Sequence, residues 1–177
     1  MTKLSIVGAC TVLASLVGPA VAQSVGERTG VNAAVGVSPS TPDFVKEVAI
    51  SDMFEIESSK LAAQKSDDAT KQFANQMVAD HTKTSEELKS AVQGNADTPL
   101  PTALDSSHQS KLDKLKSLNG VDFTKNYHDV QVSAHKDAVS LFERYAKGGD
   151  NAKLKSWASS TLPALKHHLE MAQALDK

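Results

Sequence analysis

The chain has 177 residues, with 40% hydrophobic, 23% charged and only 5% aromatic residues, and a formal net charge of −2. That length suits one globular domain with its own core. A composition rich in Ala, Lys, Ser, Leu and Asp favours helix over sheet, because straight-chain residues and Ala lose little freedom in a helix. The near-neutral charge and the absence of a basic patch interleaved with aromatics argue against nucleic acid as a partner.

Residues 1–22 read as a cleavable signal peptide. Lys3 supplies the positive start, Leu4 to Val17 form the apolar stretch, and Ala20-Val21-Ala22 is an Ala-x-Ala cleavage site before Gln23. The apolar run is shorter than the ~20 residues of a membrane span, so the expectation is removal, with no transmembrane anchor in the mature chain and a periplasmic location. A rival lipoprotein box, Val7-Gly8-Ala9-Cys10, comes too early to leave a full apolar stretch before its cysteine. Cleavage after Ala22 removes Lys3, taking the formal charge to −3, and removes Cys10, the single cysteine. Thiolate chemistry is thereby excluded from the mature chain.

Residues 23–41 are rich in Gly, Ser, Val and Ala and read as a flexible linker ahead of a domain spanning 42–177. Thr41-Pro42 opens the first long helix, with Thr41 as N-cap. This helix runs to about Lys65, with Val45, Ala49, Met53, Ile56 and Leu61 on its apolar face. The second begins after Ser66, a plausible cap, and carries the stripe Phe73, Met77, His81, Thr84, Leu88 and Val92. Gly94-Asn95 ends it. The segment 95–103 holds two prolines and reads as a loop. A short helix from about Ser106 to Leu118 follows, ended by Asn119-Gly120. The third long helix covers about Asp122 to Lys147, with Phe123, Tyr127, Val130, Ala134, Ala138, Leu141 and Tyr145 inward. Gly148-Gly149 stops it and Asp150 caps the last helix, whose stripe is Leu154, Ala158, Leu162, Leu165, Leu169 and Ala172. Pro163 should kink or break that helix. Four long amphipathic helices imply an all-α four-helix bundle, with an extra short helix between the second and third. The long connection allows antiparallel neighbours or a crossover.

Polar groups on faces that should be dry are the functional handle, because burying one without a partner costs roughly 1–3 kcal/mol. Glu57 falls between Met53 and Leu61, His81 between Met77 and Leu88, and His168 between Leu165 and Ala172. Gln131 and His135 sit four apart beside Ala138. If Glu57, His81, His135 and His168 converge, imidazole and carboxylate without thiolate suit Zn, Fe, Cu, Ni or Mn. A hydrogen-bonded core network, or a scatter of boundary histidines, is the plainer alternative. Asp80, next to His81, is either an acceptor behind a ligand or turned about a hundred degrees away into solvent; consecutive residues do not share a helix face. His108, His128 and His167 read as peripheral. A di-iron carboxylate centre needs a Glu-x-x-His pair on each of two helices, and the chain has none. No nucleophile elbow, phosphate-cradling loop, H-E-x-x-H or dinucleotide fingerprint is present either, which disfavours an enzyme.

The phrases Glu55-Ile-Glu57-Ser-Ser-Lys-Leu61, Phe73-Ala-Asn-Gln-Met77-Val-Ala-Asp80-His81-Thr82, Gln131-Val-Ser-Ala-His135, Gly120-Val-Asp122-Phe123 with Tyr127, and Leu162-Pro163 followed by His168-Leu169 resemble the bacterial family called domain of unknown function 4142. The likeness covers about residues 42–175. It implies an exported, ferritin-like four-helix bundle of unassigned activity. Members are often labelled predicted outer membrane proteins, yet nothing here reads as the alternating ~10-residue strands of a membrane barrel. By position, Glu57, Asp80, His81, Gln131, His135 and His168 match the family's recurring polar residues. The expectation is a metal ion held by Glu57, His81, His135 and His168, with Asp80 and Gln131 behind them, and a role in metal handling or envelope stress. The alternative is a structural or interaction module of the envelope with a buried His/Glu network.

Overall fold

The computed structural model describes residues 31–175; the predicted signal peptide and the first part of the predicted linker lie outside the described residues. After a single helical turn at Val31–Ala34 come α1 (Thr41–Lys65), α2 (Asp68–Val92), α3 (Ser106–Ser117), α4 (Gly120–Gly148) and α5 (Ala152–Leu175). Among the described residues there is no strand. The last residues of the predicted linker lie against α4: Arg144 Nη1 donates to the Val37 carbonyl at 2.7 Å, and Pro39 is buried.

Three helix caps differ from expectation by a single residue, because neighbouring residues compete to cap, and α4 begins at Gly120, two residues before the predicted Asp122. Ser40, not Thr41, caps α1, its Oγ accepting from Asp43 N at 3.3 Å. Thr41 is thus helical, and its hydroxyl meets Tyr145 Oη at 2.5 Å and the Asp150 carboxylate. Asp67, not Ser66, caps α2 through Thr70 N. Asn151, not Asp150, accepts from Leu154 N at 3.0 Å. α5 runs through Pro163 without the predicted break, the Ser160 and Thr161 hydroxyls both donating to the Trp157 carbonyl at 2.9 Å just upstream.

Cross-helix contacts fix the topology. Thr41, Glu55 and Ser59 of α1 meet Tyr145, Gln131 and Tyr127 of α4, so these two helices run antiparallel. Asp80, Glu87 and Ala91 of α2 meet His168, Trp157 and Lys153 of α5, again antiparallel. With tight turns joining α1 to α2 and α4 to α5, the order is up-down-down-up, and residues 93–119 must cross the full length of the bundle. That single crossover is the ferritin-like arrangement. α3 lies within the crossover and is tied to α1, where Lys65 Nζ donates to the Lys116 and Leu118 carbonyls at 3.1 and 2.9 Å.

The core divides in two. One end packs Phe44, Val48, Leu88, Phe142, Tyr145 and Leu154; the other packs Phe54, Phe73, Met77, Leu115, Phe123 and Tyr127. Between them is a polar waist of buried His81, Gln131, His135, His168, Asp52, Glu55 and Ser58. This waist explains the error on α1. Its inward face follows Val48, Asp52, Glu55, Ser59 and Ala62, polar at its centre. Of the predicted stripe only Val45 is buried; Ala49, Met53, Ile56 and Leu61 are partly exposed. Apolar periodicity had picked the flank of the helix.

Candidate functional site

Three imidazoles from three helices meet in the waist: His81 of α2, His135 of α4 and His168 of α5, exposed by 3%, 1% and 4%. Their ring centroids lie 5.5–5.7 Å apart. One ring nitrogen of each lies within 4.8 Å of the others. Nitrogens bonded to one ion at ~2.0–2.1 Å sit no more than about 4.2 Å apart, so side-chain adjustment alone closes the group.

Each ring is held from behind. His81 Nδ1 donates to Asp52 Oδ1 at 2.8 Å, His135 Nδ1 to the Gln131 carbonyl at 2.9 Å, and His168 Nε2 to Asp80 Oδ2 at 2.9 Å. The opposite nitrogens, His81 Nε2, His135 Nε2 and His168 Nδ1, are buried without a hydrogen-bond partner. An acceptor on one ring nitrogen fixes the tautomer and directs the other nitrogen's lone pair, as it does for metal-ligating histidines.

Charge follows from this geometry. Burial drives the His135 pKa down to about 3, helped by the neighbouring His81 and His168. Burial also lowers His168, against the pull of Asp80. At His81 burial works the same way, but the Asp52 hydrogen bond and charge outweigh it and the pKa is raised. Burial thus favours the neutral imidazole at His135 and His168, while the Asp52 pair favours the charged form at His81.

Of the predicted residues, His81, His135 and His168 come together, and Asp80 and Gln131 stand behind two of them. Asp80 serves His168 across the α2–α5 interface and makes no hydrogen bond with its neighbour His81, in keeping with their different faces. Glu57 is a correction. It is exposed and pairs with Lys60 Nζ at 2.8 Å, since the inward face of α1 is rotated from the stripe that framed it. His128 is a second correction: it is 8% exposed, with Nε2 2.9 Å from Thr70 Oγ1. His167 is exposed, and His108 is half-buried against Phe54.

Sequence reasoning missed Asp52 and Glu55. Asp52 also accepts from Ser85 Oγ at 3.2 Å. Glu55 Oε2 accepts from Gln131 Nε2 at 2.5 Å, while Oε1 has no partner. Burial pushes its pKa up to about 7, against the charge of His81 and the Gln131 hydrogen bond. The available signal was the 4-3-4-3 spacing of residues 48, 52, 55, 59 and 62, which puts both acids on one face with Val48 and Ala62. A cavity of about 430 Å³ reaches the Asp52–His81 pair, with His108, Lys111 and Asp137 also on its walls.

The family model described as "Domain of unknown function (DUF4142)" matches residues 26–175. A search of curated proteins returns no significant match. Among solved structures, one described as "CopM in the Cu(II)-bound form" is similar over 79% of this chain and 97% of that one, with a TM-score of 0.66 and 14% identity. At that identity the likeness concerns the fold.

Proposed function

For a chain that belongs to the DUF4142 family, whose description names no activity, we propose binding of a transition-metal ion by His81, His135 and His168, in the service of metal handling in the cell envelope. The carrying observation is the pairing within each ring: one nitrogen is satisfied from behind and the other is buried and unpartnered, in three rings whose ligand atoms come within 4.8 Å of one another. A purely structural network would be expected to use those nitrogens in hydrogen bonds among themselves or with neighbours. Neutral imidazole suits Cu(II), Zn and Ni, and affinity for divalent ions at such a donor set peaks at Cu(II). The Cu(II) in the structurally similar CopM agrees with that preference.

Export to the periplasm is part of the reading, supported by Lys3, the apolar Leu4–Val17 stretch and the Ala20-Val21-Ala22 site. No helix among the described residues is long and apolar enough to cross a membrane. Handling is favoured over turnover because the nitrogens are sealed from solvent and no catalytic motif accompanies them.

The test is elemental analysis of the purified mature protein after incubation with Cu(II) or Zn(II) and desalting. The expected result is one ion per chain, lost in His81→Ala, His135→Ala and His168→Ala. Retention of the same metal content by all three variants overturns the reading.

A further inference from the structure

Three imidazole nitrogens leave a borderline divalent ion one donor short of the four it commonly takes. The triad draws on α2, α4 and α5. α1 supplies no imidazole, yet it places two carboxyls in the same waist. Asp52 is fully engaged, one oxygen on His81 and the other on Ser85. Glu55 is different. It is 1% exposed, Oε2 is held by Gln131, and Oε1 is buried with nothing to bond. Gln131 is also the residue whose carbonyl anchors His135 one turn on, so Glu55 and His135 are tied to the same turn of α4. A carboxylate oxygen left alone in a dry interior is costly unless a cation or a proton meets it.

We propose that Glu55 is the fourth ligand of the ion bound at His81, His135 and His168, supplied by α1 through its unpartnered Oε1. The proposal rests on the metal reading above. The group within 4.8 Å comprises the three imidazoles, so Glu55 turns toward them about its side-chain bonds when the ion arrives, with Gln131 steadying the other oxygen. The resulting set is three nitrogens and one oxygen, one donor from each long helix. It also brings a negative charge into contact with the ion, where the rings alone bring none.

Co(II) is the probe, because its visible absorption reports coordination number and ligand type. Titrating the mature protein with Co(II), Glu55→Gln is expected to bind about 10- to 100-fold more weakly than wild type, with an altered visible spectrum. Glu55→Asp, which keeps the charge and shortens the reach, should fall between them. Glu57→Gln, on the exposed side of α1, should match wild type in both readouts. Glu55→Gln keeps the shape of the side chain and removes a buried acid, so its metal-free melting temperature at neutral pH should equal or exceed that of wild type, which separates a ligand effect from misfolding. Wild-type affinity and spectrum in Glu55→Gln overturn the proposal and leave the triad standing. If wild type takes up no Co(II), Cu(II) or Zn(II), the triad reading itself falls, and this proposal with it.

Discussion

Asp52 Oδ1 and His81 Nδ1 meet at 2.8 Å across the α1–α2 interface, each side chain only 4% exposed. Burial works against charge on both partners, and it is their hydrogen bond and mutual attraction that raise the His81 pKa. Asp52 thereby holds the ring by Nδ1 and leaves Nε2 as its buried, unpartnered nitrogen; under the proposed metal reading its charge would stand behind the ion. Acceptors of this kind typically contribute 10- to 100-fold in metal affinity. Asp52→Asn, which keeps the shape and removes the charge, should weaken Cu(II) binding by that range, whereas Ser85→Ala should change it by only a few-fold. Competition titration against a chelator of known affinity decides it; equal affinities for Asp52→Asn and wild type would show that the pair has no bearing on the ion.

Function and stability should pull in opposite directions at His135. Its Nε2 is buried and unpartnered, and a group in that state costs about 1–3 kcal/mol. The Gln131 carbonyl that its other nitrogen uses is at an i,i+4 position, so it keeps its own helical partner when the ring is removed. His135→Leu should abolish metal binding and raise the stability of the metal-free protein by about 1 kcal/mol or more. Urea denaturation in the presence of a chelator measures it. A lower midpoint with unchanged slope would mean that the ring does structural work without a metal.

Much of this arrangement was legible from the order of residues. On α2 His81 belongs to the apolar stripe; on α5 His168 is spaced three after Leu165 and four before Ala172, and on α4 His135 stands beside Ala138 and four after Gln131. All three were thus readable as inward candidates from spacing, although Val130, Ala134, Leu162 and Leu169 of the predicted stripes are only partly buried. α1 resisted the same logic. Its buried face carries Asp52, Glu55, Ser58 and Ser59 at its middle, so the partly exposed Met53, Ile56 and Leu61 formed the more apolar line and brought Glu57 with them. A helix that lines a polar site buries the residues that periodicity counts as surface. The crossover was equally hidden, since a 93–119 connection is compatible with either topology and only cross-helix contacts decide. Asp80 shows a third limit: its partner His168 lies 88 residues away, and nothing local announces it.

The metal-free protein should show two opposed pH effects. His135 has a folded pKa of about 3 against 6.5 unperturbed. As pH falls below about 6.5 the unfolded chain takes up a proton that the folded one refuses, and stability is lost down to about pH 3. Glu55 has a folded pKa of about 7 against 4.5. Between those values the folded chain holds the extra proton, so stability is lost as pH rises from about 4.5 to 7. Glu55→Gln removes the second effect. Relative to wild type it should gain stability across that window by about 3 kcal/mol in total, at 1.36 kcal/mol per unit. Denaturation at pH 4, 5.5 and 7.5 with chelator present tests this, and a difference that stays flat with pH would refute it.

The end of the bundle away from α3 offers a control that loosens the fold without touching the site. Gly149 packs so closely that a Cβ there would lie 2.6 Å from the Tyr145 carbonyl oxygen and 2.7 Å from its ring. That ring cannot retreat, because it stacks on Phe44 at a centroid distance of 3.9 Å and 6° between planes, and its hydroxyl is held by Thr41. Overpacking of this kind costs about 1–3 kcal/mol. Gly94 is the contrast: its φ is +81° with open space around the missing Cβ, so Gly94→Ala meets backbone strain of about 1 kcal/mol and no clash. Gly149→Ala should therefore lower the melting temperature more than Gly94→Ala does. Both should bind Cu(II) as tightly as wild type at temperatures where they are folded, because His81, His135 and His168 belong to the waist and not to the Phe44–Tyr145 cluster. A loss of affinity in Gly149→Ala while it remains folded would show that the waist depends on that distant packing.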